Sequence, residues 1–112
     1  MDTVIKERID HEIASSSIVL FMRGTPIFPQ CTFSSQAVHL LNLFGLKYKA
    51  IDVLTDTALQ QGIRDYGSGA ALPHLYVCGE FLGSSYVLKT MIENGKFEKL
   101  LQEKNIPYKA RP

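Results

Sequence analysis

The chain has 112 residues, of which 46% are hydrophobic and 21% are charged, and its formal net charge is +1. This length predicts one domain with a hydrophobic core, and the composition is typical of a globular protein. Because lysine and arginine are scattered through the chain, nucleic acid is not an expected partner. No apolar stretch approaches the ~20 residues of a membrane-spanning helix, so no membrane role is expected.

Cysteine usage indicates a reducing compartment. Cys31 and Cys78 are the two cysteines, whereas a secreted disulfide scaffold of this size would carry more. Residues 1–7 mix acidic and basic side chains and do not resemble a signal or transit peptide. We therefore expect a cytoplasmic location. Two cysteines without clustered histidines also exclude a self-contained four-ligand zinc site.

The first half of the chain predicts a helix followed by a βαβ unit. The initial helix has Asp2 as a candidate N-cap and ends at the serines of 15–17. The apolar run 18–22 is typical of a strand buried on both faces. A second helix follows Cys31, with Gly45 as its stop, and a strand is expected over 48–53. The apolar faces of the two helices comprise Val4, Ile5, Ile9 and Ile13, then Phe33, Ala37, Val38, Leu41 and Phe44.

The second half predicts a helix, a hairpin and two further helices. Asp56 is a candidate N-cap for a helix over 57–66, and 67–69 break it. Strands over 75–77 and 81–82 flank a two-residue turn, Gly79–Glu80, of type II′. Ser84 or Ser85 caps a helix that ends near Gly95, and a last helix covers 96–103. The order predicts an α/β fold: a mixed four-stranded sheet with helices on both faces and an extra N-terminal helix.

Cys31 is the leading candidate for a functional residue. It lies between a predicted strand and a predicted helix, where free backbone N–H groups and the helix dipole favour an anion. Such positions stabilise thiolates. The alternative is a buried structural cysteine, but the loop with Pro26 and Pro29 before it favours exposure. Ser34 stands where a Cys-x-x-Cys motif would place its second sulfur.

The remaining sulfur and imidazole groups give weaker signals. Cys78 is either a resolving or glutathionylated thiol or a passive strand residue, and we favour the second reading. The histidines, His11, His39 and His74, stand singly without metal-ligand spacing, so we expect surface or packing roles for them.

Four motifs resemble the monothiol glutaredoxins, a family with the thioredoxin fold. Residues 23–34 read Arg-Gly-Thr-Pro-Ile-Phe-Pro-Gln-Cys-Thr-Phe-Ser, similar to the family's Lys-Gly-Thr-Pro followed by Cys-Gly-Phe-Ser. Residues 61–66 resemble its Gln-Gly-Leu-Lys-Glu-Tyr, 72–77 its Ile-Pro-Gln-Leu-Tyr-Val, and 79–83 its Gly-Glu-Phe-Ile-Gly. The likeness spans about 18–101, within one domain over 1–112 whose core covers about 17–103.

The resemblance implies a glutathione site and roles for individual residues. Cys31 would be the nucleophile and the iron ligand. A cis peptide bond before Pro73 is implied, whereas base rates alone favour trans. The family's glutathione-binding positions correspond here to Arg23, Phe33, Arg64, Leu72, Pro73, Ser84 and Ser85. Alternative readings are a solvated cation for Arg23, a helix-surface charge for Arg64, and core packing for Phe33.

Several positions differ from the family pattern. Arg23 replaces its Lys, Thr32 replaces the Gly after the cysteine, and 69–71 replace its Trp-Pro-Thr. Residues 83–86, Gly-Ser-Ser-Tyr, replace Gly-Gly-(Cys or Ser)-Asp, which normally holds the γ-glutamyl end of glutathione. These differences concern the ligand site rather than the fold.

Three functions follow from the resemblance. The first is iron–sulfur assembly and transfer. A [2Fe–2S] cluster would bridge two chains, each with one Cys31 and one glutathione, for delivery to recipient proteins. The chain would then be a homodimer with the cluster and a monomer without it. The second is glutathione-dependent thiol–disulfide exchange, an enzymatic activity that would use a single thiol. The third is a binding module in which the ligand site is weakened.

Overall fold

The computed structural model describes residues 3–109. Along the chain it has α1 (Thr3–Ala14), β1 (Ile18–Met22), α2 (Thr32–Leu43), β2 (Lys49–Asp52), α3 (Thr57–Tyr66), β3 (His74–Val77), β4 (Glu80–Gly83), α4 (Ser85–Glu93) and α5 (Lys96–Glu103), with a 3₁₀ turn at Val53–Thr55. The predicted element order is confirmed, although the second strand is one residue shorter at each end than the predicted 48–53. The proposed cap Asp2 lies outside the described residues.

The strands form the predicted mixed sheet. Their order is β2-β1-β3-β4, with β1 parallel to β2 and antiparallel to β3, and β3 antiparallel to β4. Two parallel strands joined through α2 form the expected βαβ unit. No helix within residues 3–109 combines the length and the apolar character needed to cross a membrane.

Strand β1 separates two hydrophobic cores, and all five of its residues are buried. Ile18, Leu20 and Met22 face α2, α4 and α5, whereas Val19 and Phe21 face α1 and α3. This alternation follows from the two-residue period of a strand. A continuous apolar run is what a strand covered on both faces requires, so the sequence interpretation is confirmed.

The hairpin turn differs from the prediction. Val77 pairs with Glu80, so the turn residues are Cys78 and Gly79 rather than Gly79 and Glu80. Their φ angles are +50° and +83°. Two successive positive φ angles define a type I′ turn, which matches the twist of the flanking strands better than most alternatives. The prediction of a type II′ turn was wrong by one residue, and Cys78 is an exposed turn residue rather than a strand residue.

His74 is buried where β3 begins. The side chain is fully inaccessible, its Nε2 lies 2.7 Å from the Ala70 carbonyl oxygen, and the ring packs edge-on against Phe81. A Cβ atom at Gly67 would lie 2.7 Å from the ring, so the glycine leaves room for it. Burial of the imidazole lowers the pKa of His74 below its ordinary value. His74 therefore has the packing role allowed by the sequence.

We expect Gly24→Ala to destabilise the fold more than a glycine substitution in open space. Gly24 has φ +88°, and an added Cβ would lie 2.5 Å from the Phe28 carbonyl oxygen. Gly95→Ala is the control, since Gly95 has φ +79° but no described atom within 4 Å of the added Cβ. Left-handed strain alone costs about 1–2 kcal/mol, and the clash adds to it at Gly24. Urea unfolding measures both losses, and equal losses would contradict the steric argument.

Acidification is expected to destabilise the protein through His74. Its pKa is lowered in the folded state, so below the unfolded-state pKa of about 6.5 the unfolded chain binds a proton that the folded chain does not. Stability should therefore fall as the pH drops through that value. His74→Gln should flatten the pH dependence of the free energy of unfolding, whereas His39→Gln, at an exposed position, should leave it unchanged. Equal pH slopes for both variants would refute the assignment.

Candidate functional site

Three chain segments meet at one end of the sheet, which we call the Cys31 end. Strand β1 finishes there and leads into residues 23–31. Phe21 pairs with His74, so the start of β3 and the preceding Pro73 lie at the same end. Leu75 pairs with Gly83, which brings the start of α4 to this end as well. The fold thus gathers segments that are up to 60 residues apart in the sequence.

The loop before Cys31 is closed by its own backbone. The N–H of Gln30 donates to the carbonyl oxygen of Arg23 at 2.9 Å, and Gly24 forms a bridge with Pro29. The Asp52 carboxylate accepts from the N–H groups of Gly24 and Leu54, each at 2.9 Å. Asp52 therefore ties the end of β2 to the beginning of the loop. These bonds fix where α2 starts, and hence the position of the thiol.

Cys31 is the N-cap residue of α2 and is half-buried. Its φ and ψ of −153° and 137° are extended, as in most N-cap residues. Its side chain makes no capping hydrogen bond, although Cys31 directly precedes the first turn of α2. The N–H of Ser34, followed by that of Phe33, the charge of Arg23 and the Ser34 hydroxyl, lower the pKa of Cys31 despite opposition from burial. The predicted thiolate environment is present.

Arg23 supplies the cation of the site. It is half-buried, and its Nε atom is buried without a hydrogen-bond partner among the described residues. A buried guanidinium N–H without a partner is costly, so this atom is suited to donate a hydrogen bond to an anionic ligand. Its charge is one of the causes that lower the pKa of the Cys31 thiol. Arg23 is therefore not a fully solvated surface cation.

Phe33 is not a core residue. Its side chain is 59% exposed, whereas Ser34 is fully buried beside Ala37, Val38 and Leu41. These buried residues form one stripe along α2, and Ser34 lies nearer to its centre than Phe33 does. The helix therefore places Ser34 against the core. The predicted apolar face of α2 was therefore wrong at Phe33. The exposed ring leaves open a contact with a ligand at the Cys31 end.

The peptide bond between Leu72 and Pro73 is cis, as the resemblance implied. Both residues are buried. No hydrogen bond among residues 3–109 uses the N–H or C=O of Leu72. This pair of backbone groups is therefore available for an extended ligand to bind in the manner of a β-strand.

The other predicted residues flank this centre. Arg64 lies exposed in the last turn of α3, and its carbonyl oxygen accepts from the Gly69 N–H at 2.7 Å. Ser84 is the N-cap of α4 but makes no side-chain capping bond, and Ser85 is buried. Tyr86, at the position of the family Asp, is 75% exposed. A tyrosine hydroxyl provides no negative charge there.

Cys78 lies at the opposite end of the sheet. Its N–H donates to the carbonyl oxygen of Ser17 at 2.7 Å, just before β1 begins, whereas Cys31 follows the end of β1. The five residues of β1 separate the two ends by about 13 Å at roughly 3.3 Å per residue. A disulfide needs Cα atoms within about 7 Å, so Cys78 cannot resolve a disulfide at Cys31 of the same chain.

The structural roles of two residues at the site did not emerge from the sequence. Asp52 holds the Cys31 loop, and its signal was a carboxylate inside an apolar strand. Ser34 is a buried polar residue, and the Arg23 N–H donates to its hydroxyl oxygen at 3.1 Å. In the sequence, the feature that could have indicated this role of Ser34 is a hydroxyl on the apolar stripe of α2. Both are short polar side chains that bind backbone groups where β-strands end.

Comparison with known proteins identifies the family. A family model described as glutaredoxin matches residues 18–82. The chain is 36% identical over 102 residues to an uncharacterized monothiol glutaredoxin, ycf64-like, of Synechocystis sp., covering 91% of this chain and 95% of that protein.

Solved structures share the fold. The solution structure of a monomeric truncated mutant of Trypanosoma brucei 1-C-Grx1 has a TM-score of 0.86 and 30% identity, covering 94% of this chain and 96% of the other. A buckwheat glutaredoxin–glutathione complex has a TM-score of 0.81 at 17% identity, covering 93% of each chain, which supports the fold alone. With its thioredoxin-like sheet, its single sulfur at the Cys31 end and these relatives, the chain belongs to the glutaredoxin family and is related to its monothiol members.

Proposed function

We propose that this chain binds glutathione beside Cys31 and, with a second copy, carries a bridging [2Fe–2S] cluster for iron–sulfur assembly and transfer. The observation that supports this most directly is the isolation of Cys31. The site has one stabilised thiolate, and Cys78 is too distant to join it. Among the described residues, no group of three or more His, Cys, Asp or Glu could hold a metal. Four ligands would thus have to come from several molecules.

Glutathione fits the groups that the Cys31 end leaves unused. It has two carboxylates, a free amine and an extended peptide backbone. Arg23 has an unpartnered buried Nε, and Arg64 is an exposed second cation. The backbone groups of Leu72, beside Pro73, suit the peptide, while the turn at Ser84 and Ser85 and the ring of Phe33 border the site. The bound complex of a buckwheat glutaredoxin is a precedent for the ligand in this fold.

When bound, the cluster would supply transferable iron and sulfide. The contribution of this chain is to lower the pKa of Cys31 and so favour its thiolate form, through the first-turn N–H groups and the charge of Arg23. The proposal includes recipient proteins for the cluster. It also includes a homodimer when the cluster is bound and a monomer when it is not. The cytoplasmic location stays a prediction from the sequence.

A second candidate is thiol–disulfide exchange, which the lowered pKa of Cys31 favours. The Cys31 thiolate would attack the glutathione sulfur of a mixed disulfide and release the target thiolate. A second glutathione thiolate would then attack that sulfur, release Cys31 and leave as glutathione disulfide. Ser34 cannot form the competing internal disulfide. The reaction would therefore consume one free glutathione and yield one glutathione disulfide for each mixed disulfide reduced.

Anaerobic reconstitution with iron, sulfide and glutathione should give a visible iron–sulfur absorption band and a dimer on gel filtration. Cys31→Ser should abolish both, because it removes the protein ligand. Cys78→Ser is the matched control and should retain both, since this thiol lies at the other end of the sheet. Absence of the band and of the dimer in the unaltered protein would refute the cluster proposal.

Calorimetric titration with reduced glutathione should show binding that depends on Arg23. Arg23→Gln should weaken binding by about tenfold, because one charge-assisted hydrogen bond is lost. Arg8→Gln is the control, since Arg8 lies on α1 and pairs with Asp56 at 2.9 Å. Absence of any binding heat would instead favour the binding module, in which Tyr86 and its neighbours no longer hold the ligand.

A further inference from the structure

Residues 67–73 connect α3 to β3, and we call them the 67–73 segment. Arg64 lies in the last turn of α3 just before the segment, and Leu72 and Pro73 lie at its end. Residues proposed to contact glutathione therefore stand at both ends of it. A loop without hydrogen bonds and buried contacts opens easily, so whatever holds this segment also sets the position of the Leu72 backbone groups.

The hydrogen bonds of the segment come from two sources. Near α3 the backbone forms them. The N–H of Gly69 donates to the carbonyl oxygen of Arg64 at 2.7 Å, and the N–H of Ala70 donates to that of Gly67 at 3.2 Å. Beyond Ala70, residues 71–73 make no backbone–backbone hydrogen bond within residues 3–109. A side chain supplies the next contact, since the Nε2 atom of His74 lies 2.7 Å from the Ala70 carbonyl oxygen.

His74 is anchored by the sheet and reaches back to the segment. Its backbone pairs with Phe21, so the fully buried strand β1 fixes its position. From there its side chain reaches back to Ala70, four residues earlier. The side chain is fully inaccessible, and its ring packs edge-on against Phe81 with 5.1 Å between the ring centroids. The imidazole therefore links a fixed strand to a loop that is weakly held by its own backbone.

The two ring nitrogens of His74 indicate a role beyond packing. A carbonyl oxygen only accepts, so Nε2 carries the proton and donates it to Ala70. In the neutral ring Nδ1 is then an acceptor, and it is buried without a hydrogen-bond partner among residues 3–109. A buried polar atom without a partner destabilises the fold, and an apolar side chain of similar size would avoid that loss. What the imidazole adds, and an apolar side chain lacks, is the bond to Ala70.

We propose that His74 is a positioning residue. The bond from its Nε2–H to the Ala70 carbonyl oxygen fixes the 67–73 segment and thereby holds the backbone groups of Leu72 in place for a ligand at the Cys31 end. The inference rests on the proposed function for the identity of that ligand, glutathione, whereas the fixed segment is a property of the protein alone. His74 does not touch the ligand, because no part of its side chain is accessible.

The test compares two substitutions of the same length. In His74→Gln the side-chain nitrogen stands as many bonds from Cα as Nε2 does and can donate to Ala70, whereas in His74→Met the corresponding atom is a methyl carbon. Magnetic resonance relaxation without glutathione should give the Leu72 N–H an order parameter of about 0.85 in the unaltered protein and in His74→Gln, and below about 0.6 in His74→Met. Leu20, in β1, is the internal control and should stay rigid throughout.

Calorimetry extends the same comparison to glutathione. His74→Met should weaken binding by about tenfold, because the backbone of Leu72 then has to be ordered when the ligand binds. His74→Gln should retain the affinity of the unaltered protein. Equal order parameters for Leu72 in the two variants, or a mobile Leu72 in the unaltered protein, would overturn the proposal.

The imidazole of the unaltered protein provides a test that needs no variant. If His74→Met unfolds, which circular dichroism would reveal, the nitrogen chemical shifts of His74 decide the matter. A proton on Nε2 together with a rigid Leu72 is expected, and a proton on Nδ1 would overturn the proposal. If the unaltered protein binds no glutathione, the proposed function fails, while the order parameters still decide the role of His74.

Discussion

The position of the thiol depends on the burial of strand β1. All five of its residues are inaccessible, with alternate side chains in two separate cores. Burial of both faces is the dominant favourable term for such a strand, at about 25 cal/mol for each Å² of apolar surface. The strand has no freedom to slip by one residue, because a slip would exchange the faces. Its last residue, Met22, therefore fixes where the loop to Cys31 must begin.

From that fixed point, the site is assembled by backbone hydrogen bonds rather than by charge pairs. Asp52 holds Gly24, Gln30 closes the loop onto Arg23, and Ser34 accepts the Arg23 N–H. Each of these bonds satisfies a backbone group that a strand end or a loop would otherwise leave without a partner. The charge of Arg23 thus remains available to act on the Cys31 thiol.

The sequence predicted the fold well because its signals were local and agreed with one another. The apolar run 18–22, the cap Asp56 and the stop Gly45 each have one dominant structural meaning. The errors arose where the local structure depends on which residues pair across the sheet. The register between Val77 and Glu80 moved the hairpin turn onto Cys78.

At the site, the family motifs located Cys31, Arg23 and Pro73. They could not distinguish Phe33 from Ser34 as the buried residue of α2. Hydrophobicity favours the phenylalanine, whereas the orientation of the helix against the sheet buries the serine. Asp52 was missed because its partner, the N–H of Gly24, is far away in sequence. Contacts of this kind depend on which strands become neighbours.

The way in which Cys31 is stabilised has a consequence for how firmly it holds what it binds. A thiolate that is favoured by N–H groups and a nearby cation is a weaker nucleophile per anion, but a faster leaving group. Because the pKa of Cys31 is lowered, more of the thiol is ionised at a given pH, and the same shift makes the thiolate easier to displace once a bond to its sulfur has formed. Such a sulfur is suited to the transfer role proposed above, because a group bound to it is displaced more readily than one bound to a buried structural cysteine, whose pKa is raised.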